Sequence, residues 1–167
     1  MASDSKRARR SSQERLRVGF ACCLVFFPLL VSASPRCAKP VDVVKALYGS
    51  SYDFYYKGGH EEFFTSTFQS GISAEVDCLK REGECSLDYD PWLGAQDGEI
   101  SPPLRYAVVS DMEGYVVVQF TYRFTIANTA RPHAVEIVLH KQPDGCWKVN
   151  DFITPIGVSL LGTFGRS

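Results

Sequence analysis

The residues best suited to chemistry lie together in residues 88–99, DYDPWLGAQDGE, where four carboxylates flank a Pro-Trp pair. Carboxylates at this density suit three kinds of role. They could bind a metal ion, they could act as general acid–base groups beside the apolar ring of Trp92, or they could accept hydrogen bonds from the backbone of a turn. Each role makes a different demand on the neighbouring residues.

The spacing of the carboxylates partly matches a calcium loop. With Asp88 at the first position of an EF-hand, Asp90 and Glu99 fall at two further ligand positions. Leu93 then stands where the loop needs glycine, and the chain after it is strand-like, so an EF-hand is excluded. We expect neither a metal nor another cofactor, although an irregular calcium site remains the alternative for Asp88, Asp90, Asp97 or Glu99.

Acid–base catalysis would need a carboxylate with a raised pKa inside an apolar cavity. We predict no catalytic residue, because nothing in the sequence shows that the necessary groups converge. The candidates to test as bases are Asp90, Asp97 and Asp151, with Tyr106 or Tyr122 as hydrogen-bond donors. The ligand-binding residues that we predict are Asp90, Trp92, Asp97, Tyr122 and Asp151.

The structural role has the stronger support. Asp-Pro and Gly are turn residues, and Asp side chains commonly accept hydrogen bonds from loop N–H groups. Trp92 would bury a large ring. We therefore interpret residues 88–99 as a corner that closes one end of the domain between its helices and its sheet.

The histidines do not form a catalytic set. His60 precedes a helical segment and is expected to face water, whereas His133 and His140 lie on one predicted strand. Their odd and even positions place them on opposite faces of that strand. The sequence also contains no nucleophile turn for a Ser-His-Asp triad and no phosphate-binding glycine loop.

Residues 1–33 have the features of a secretory signal peptide. A basic stretch is followed by the uncharged run of residues 18–31 and by small residues up to Ala33. The run is short for a membrane span and contains Pro28. We expect cleavage near Ala33 and a periplasmic or secreted mature chain that no longer contacts a membrane.

Export changes the charge of the chain. The leader holds six of the 18 basic and two of the 19 acidic residues, which leaves 12 basic against 17 acidic residues and a net charge of −5. Nucleic-acid binding needs a basic surface. We therefore expect no nucleic-acid partner.

Four cysteines remain after cleavage, which allows three pairings. Cys78 and Cys85 can close a short loop, which leaves Cys37 to pair with Cys146. A zinc site is the alternative, but the sequence has no C-x-x-C element and no nearby histidine. We favour two disulfides.

Two helical segments precede the strands. The first covers residues 40–58 and ends at Gly58-Gly59, and the second covers residues 61–79 with a break near Gly71. The aromatic stripe of the second segment is expected to pack on a sheet. A short segment of residues 34–40 would precede a single domain of residues 41–155, with a tail of residues 156–167.

Strict alternation in residues 115–126, YVVVQFTYRFTI, predicts a long antiparallel strand with one buried face. Residues 104–112, 133–141 and 146–153 are also strand-like, and Gly-containing turns are expected at residues 111–114 and 142–145. Helices followed by about four strands predict an α+β domain, with the N-terminal helices packed on a strongly curved antiparallel sheet.

Residues 88–97, DYDPWLGAQD, and residues 145–155, GCWKVNDFITP, carry a resemblance to a known family. With the leader and the long strands, they resemble a family of secreted bacterial proteins in the nuclear-transport-factor-2-like (cystatin-like) superfamily. The resemblance covers roughly residues 41–155. It implies a cone-shaped domain and a compartment but no reaction, because this fold serves enzymes, ligand pockets and docking surfaces alike. The fold often dimerises through its sheet, so a homodimer is one expected state.

We therefore expect an exported, non-enzymatic binding domain that holds a small ligand or docks an envelope protein. An inhibitor or immunity protein for a cell-wall hydrolase would be one such domain. The alternative is a small-molecule isomerase or lyase that uses an Asp in the cone. A hollow interior with converging polar groups would favour the enzyme, and a filled interior would favour the binding domain.

Overall fold

A computed structural model describes residues 37–165, and the predicted signal peptide of residues 1–33 lies outside the described residues. The described part is α+β. Its elements are α1 (Pro40–Ser50), α2 (Phe54–Lys57), α3 (Ser66–Glu82), β1 (Glu99–Met112), β2 (Tyr115–Ile126), β3 (Thr129–Lys141), β4 (Trp147–Ile153) and α4 (Leu160–Phe164).

The four strands form one antiparallel sheet in the order β1-β2-β3-β4. The predicted alternation in β2 is confirmed, since its even-numbered side chains from Val116 to Phe124 are buried and its odd-numbered ones are not. Ile126 is the exception at 38% exposed, because it lies at the end of the strand. Gly114 and Gly145 adopt positive φ angles of 85° and 81° in the two predicted turns.

The first predicted helix is interrupted, which corrects its expected extent. α1 ends at Ser50, and α2 begins only at Phe54. Gly49, Ser50 and Ser51 have low helix propensity, and the Ser50 hydroxyl donates a hydrogen bond of 2.6 Å to the Ala46 carbonyl. The break at residues 51–53 frees the Tyr52 backbone carbonyl for other contacts.

The second helix begins later than predicted. Thr65 caps α3 by accepting a hydrogen bond of 3.3 Å from the Phe68 N–H. Phe63 ends a turn instead, and Phe64 forms a parallel bridge with Val149: the Phe63 carbonyl accepts from the Val149 N–H at 2.8 Å, and the Thr65 N–H donates to the Val149 carbonyl at 2.9 Å. The aromatic pair therefore joins the core beside β4 and not through α3.

α3 runs through Gly71 without the predicted break. A Cβ atom at Gly71 would lie 2.8 Å from the Cβ of Phe164. Glycine is therefore needed here for close packing of α4 and not to end a helix. α4 itself was not predicted, because residues 156–167 were expected to form a tail; Leu160 and Phe164 are both buried.

Disulfides join Cys37 to Cys146 and Cys78 to Cys85, as the sequence analysis favoured. The first links the residues before α1 to the start of β4, and the second closes the loop after α3. Among residues 37–165, no helix combines the length and the hydropathy that a bilayer crossing needs.

Candidate functional site

The segment that follows the second disulfide forms a tight turn at Asp90. The backbone carbonyl of Asp90 accepts hydrogen bonds from the N–H groups of Leu93 and Gly94, at 3.1 and 2.8 Å, and the Asp90 N–H donates to the Ala95 carbonyl at 3.0 Å. Gly94 has a φ angle of 64°, which favours glycine. This turn directs the Trp92 side chain into the space between the helices and the sheet.

Trp92 is fully buried in a cluster of aromatic rings, which we call the Trp92 corner. Its ring is stacked on Tyr52 and meets the edge of Phe152 at a centroid distance of 4.7 Å. The rings within 6.4 Å of the Trp92 ring are those of Tyr48, Tyr52, Phe54, Phe120 and Phe152. The helices and the sheet thus meet around one large side chain.

Both oxygens of the Asp90 carboxylate accept hydrogen bonds within this corner. Its Oδ2 accepts a hydrogen bond of 2.6 Å from the Tyr52 hydroxyl, and its Oδ1 accepts one of 2.8 Å from the Trp92 N–H. Burial, followed by the hydrogen bond to Asp90, raises the pKa of Tyr52. Both carboxylate oxygens therefore fix the position of protein groups.

The remaining polar atoms of Trp92 are also satisfied. Its indole N–H donates to the Tyr52 carbonyl at 2.8 Å, and its backbone carbonyl accepts a hydrogen bond from the Tyr122 hydroxyl. Burial raises the pKa of Tyr122, and the charge of Asp90 acts in the same direction. Tyr122 thus holds the turn to the buried face of β2.

Three of the five predicted ligand-binding residues come together in this corner: Asp90, Trp92 and Tyr122. Asp97 does not join them, because it lies exposed in the loop before β1. Asp88 and Glu99 are exposed as well. Tyr106 stacks on Phe120 at 4.6 Å, next to the corner, and the pKa of Tyr106 is raised by burial.

Asp151 has a separate structural role at the end of β4. Its Oδ1 accepts hydrogen bonds from the Phe152 and Leu161 N–H groups, at 2.7 and 2.9 Å. Its Oδ2 accepts one of 2.6 Å from the hydroxyl of Ser159, the residue that caps α4. Asp151 therefore fixes the short C-terminal helix, and it meets the Trp92 corner through the backbone N–H of Phe152.

The histidines lie apart, as predicted. His133 is paired with Tyr122 on the core side of the sheet, and His140 is paired with Tyr115 on the other side. The His133 ring stacks on Phe124 at 4.5 Å. Burial and the charge of Arg131 lower the pKa of His133. A hydrogen bond with the Leu93 backbone acts in the opposite direction and is the smaller effect.

The sequence analysis missed two features. The first is Tyr52 as the partner of Asp90. The available signal was the four-residue spacing of Tyr48 and Tyr52, which places both rings on the apolar face of the predicted helix. The second is a surface cavity of about 410 Å³ beside β2, whose lining includes Arg105, Arg123 and Arg131. No sequence spacing joins these arginines, because they lie on three different strands.

Neither Asp90 nor Trp92 lines any of four surface cavities on the described part of the chain. Among residues 37–165 there is also no group of three or more His, Cys, Asp or Glu side chains that could hold a metal ion. Neither a protein-family model, nor a curated protein, nor a solved structure matches the chain.

Proposed function

We propose that the chain is an exported, non-enzymatic binding domain whose helices cover a strongly curved, cystatin-like sheet. One observation carries the proposal: the space between helices and sheet at the Trp92 corner is occupied by aromatic side chains. Trp92, Phe54, Phe120 and Phe152 are all fully buried there. A ligand or partner would then bind to the outer surface of the domain.

The state of Asp90 supports a binding function over catalysis. A general base must reach a substrate proton, directly or through one water. The two oxygens of Asp90 instead accept hydrogen bonds from Tyr52 and from the backbone of Trp92. The two oxygens of Asp151 likewise accept hydrogen bonds, from the Ser159 hydroxyl and the Leu161 N–H.

The compartment is part of the proposal. Disulfides form and persist in oxidising environments such as the periplasm and the extracellular medium. The two disulfides therefore support export, as does the predicted leader of residues 1–33. The partner would be a small ligand or an envelope protein met in that compartment, and an inhibitor or immunity role is one form of such binding.

Equilibrium dialysis of the purified chain against a fragment set, and a pull-down from an envelope extract, would test the proposal when the products are followed by mass spectrometry. We expect at least one component to be retained without chemical change. The Asp90→Asn variant should retain the same component, because Asp90 does not face the ligand. Conversion of a component that stops in Asp90→Asn would show an enzyme instead.

A further inference from the structure

A break in the pairing of β1 with β2 opens a cavity on the surface of the sheet. Ser101 pairs with Arg123 and Arg105 pairs with Thr121, so three residues of β1, 102–104, stand opposite Tyr122 alone. Two of the three are prolines, which cannot donate the hydrogen bonds of a regular strand. β1 is displaced here, and the cavity of about 410 Å³ lies at this break.

Three of the arginines within residues 37–165 are among the residues that line the cavity. Of the four arginines within residues 37–165, Arg81 pairs with Glu82 at 3.8 Å on α3. The other three, Arg105, Arg123 and Arg131, line the cavity and take no part in the ion pairs found among the described residues. This grouping is notable in a mature chain that carries a net charge of −5.

The side chains of Arg105 and Arg123 are placed to share a ligand. Arg123 and Thr121 alternate with the buried residues of β2, so they point to the outer face of the sheet, and Arg105 is paired with Thr121 on that face. Arg131 on the neighbouring strand is paired with Phe124, so its side chain lies on the core face, with its guanidinium 5.6 Å from the centroid of the Phe124 ring. The positive charges of Arg105 and Arg123, which take no part in the ion pairs found among the described residues, thus lie together on the outer face beside the cavity.

We propose that this arginine cavity binds a small organic anion through a carboxylate or phosphate group. Guanidinium groups bind both anions through paired hydrogen bonds, and the Thr121 hydroxyl adds a further donor. Pro103, Ala130 and Pro132 supply an apolar wall for the uncharged part of the ligand. The cavity volume lies in the range of about 300–1,000 Å³ that is usual for small-molecule sites. The inference rests on the proposed binding function and names its ligand class.

Isothermal titration calorimetry of the purified chain with phenyl phosphate and with phthalate would test the inference. Benzamide at the same ionic strength is the neutral control. We expect both anions to bind and the amide not to bind. Because hydrogen bonds to charged groups are strong, Arg105→Gln and Arg123→Gln should each weaken binding by at least about tenfold. Arg81→Gln is the matched control, since Arg81 lies on α3, and it should bind like the wild type.

Arg105 and Arg123 are exposed on the sheet, so their variants should fold, which circular dichroism would verify. Unchanged affinity in both arginine variants would overturn the inference, as would anion binding equally weakened in Arg81→Gln. If the wild-type chain binds neither anion but retains another component in the dialysis experiment, the inference fails while the proposed binding function stands. Binding of phenyl phosphate without phthalate, or the reverse, would support the inference and identify the anionic group.

Discussion

The hydroxyl group of Tyr122 on β2 donates a hydrogen bond to the backbone carbonyl of Trp92, which lies 30 residues earlier in the chain. This contact joins the turn at Asp90 to the centre of the sheet. It also satisfies a buried carbonyl that would otherwise lack a partner, and Tyr122 is in addition one of the residues that line the arginine cavity.

Removal of this hydroxyl should destabilise the domain. Tyr122→Phe keeps the ring but leaves the Trp92 carbonyl unsatisfied, which costs about 1–3 kcal/mol for a buried group. The free energy of unfolding from urea titration is the measurement. Tyr115→Phe is the control, because the Tyr115 hydroxyl contacts only the Met112 sulfur in an exposed position. Equal stability of the two variants would contradict the role given to Tyr122.

Gly71→Ala should destabilise the domain, although alanine is the better helix former. The added Cβ would lie 2.8 Å from the Cβ of Phe164. Overpacking costs about 1–3 kcal/mol, whereas alanine gains at most about 1 kcal/mol in a helix interior. Gly49→Ala in α1 is the matched control, since no atom lies within 4 Å of its added Cβ apart from its chain neighbours and the backbone of its own helix. We expect Gly49→Ala to raise the melting temperature and Gly71→Ala to lower it; a rise in both would show that α4 is not closely packed on α3.

The two disulfides should differ in their effect on stability. Cys37–Cys146 spans a sequence separation of 109 and Cys78–Cys85 one of 7. Loop-closure entropy gives about 4.7 kcal/mol for a loop of about 100 residues and only about 2.5 kcal/mol for one of about eight. Urea unfolding of the two paired Cys→Ser variants would measure the difference. A greater loss from the Cys78/Cys85 variant would contradict the ranking.

His133 should make stability depend on pH. Because burial lowers the pKa of His133 in the folded chain, the unfolded chain takes up the proton first, near the ordinary pKa of 6.5. The unfolded state then binds more protons, so the free energy of unfolding falls as the pH falls below about 7. This contribution is complete above the unfolded pKa and is lost as the pH falls from there through the lower folded pKa.

His133→Phe should retain the ring contact with Phe124 and flatten the decline in stability between neutral and mildly acidic pH. Urea unfolding at a series of pH values is the measurement, with His140→Gln as the control for loss of a histidine on the other face of β3. The same slope in His133→Phe and in the wild type would contradict the lowered pKa of the partly buried His133.

Several elements could be predicted because their signals are local. Alternation alone identified the buried face of β2, and Gly114 and Gly145 marked the turns on either side of the long central strands. The turn at Asp90 and Trp92 was predicted from the Asp-Pro sequence. These features depend on neighbours within a few residues, for which propensity and periodicity are direct physical causes.

Other elements could not be predicted because they depend on distant partners. Phe63 and Phe64 fit the stripe of a helix equally well, and only the hydrogen bonds of Val149 with Phe63 and Thr65 hold them outside α3. Gly71 alone indicated a helix break, and only the close approach of Phe164 shows why glycine stands within α3. In each case a local preference of about 1 kcal/mol is outweighed by tertiary packing.

The amino-acid sequence by itself determined the class of the domain, the face of β2 that is buried and the residues that make its turns, because side-chain period and turn chemistry act over short distances. Only the tertiary structure decided that Asp90 bonds to Tyr52, that Asp151 holds α4, and that Arg105 and Arg123 share one cavity. The physical reason is register: the displaced segment of β1 sets which side chains of β1 and β2 lie beside one another, and register is a property of paired strands and not of one strand alone.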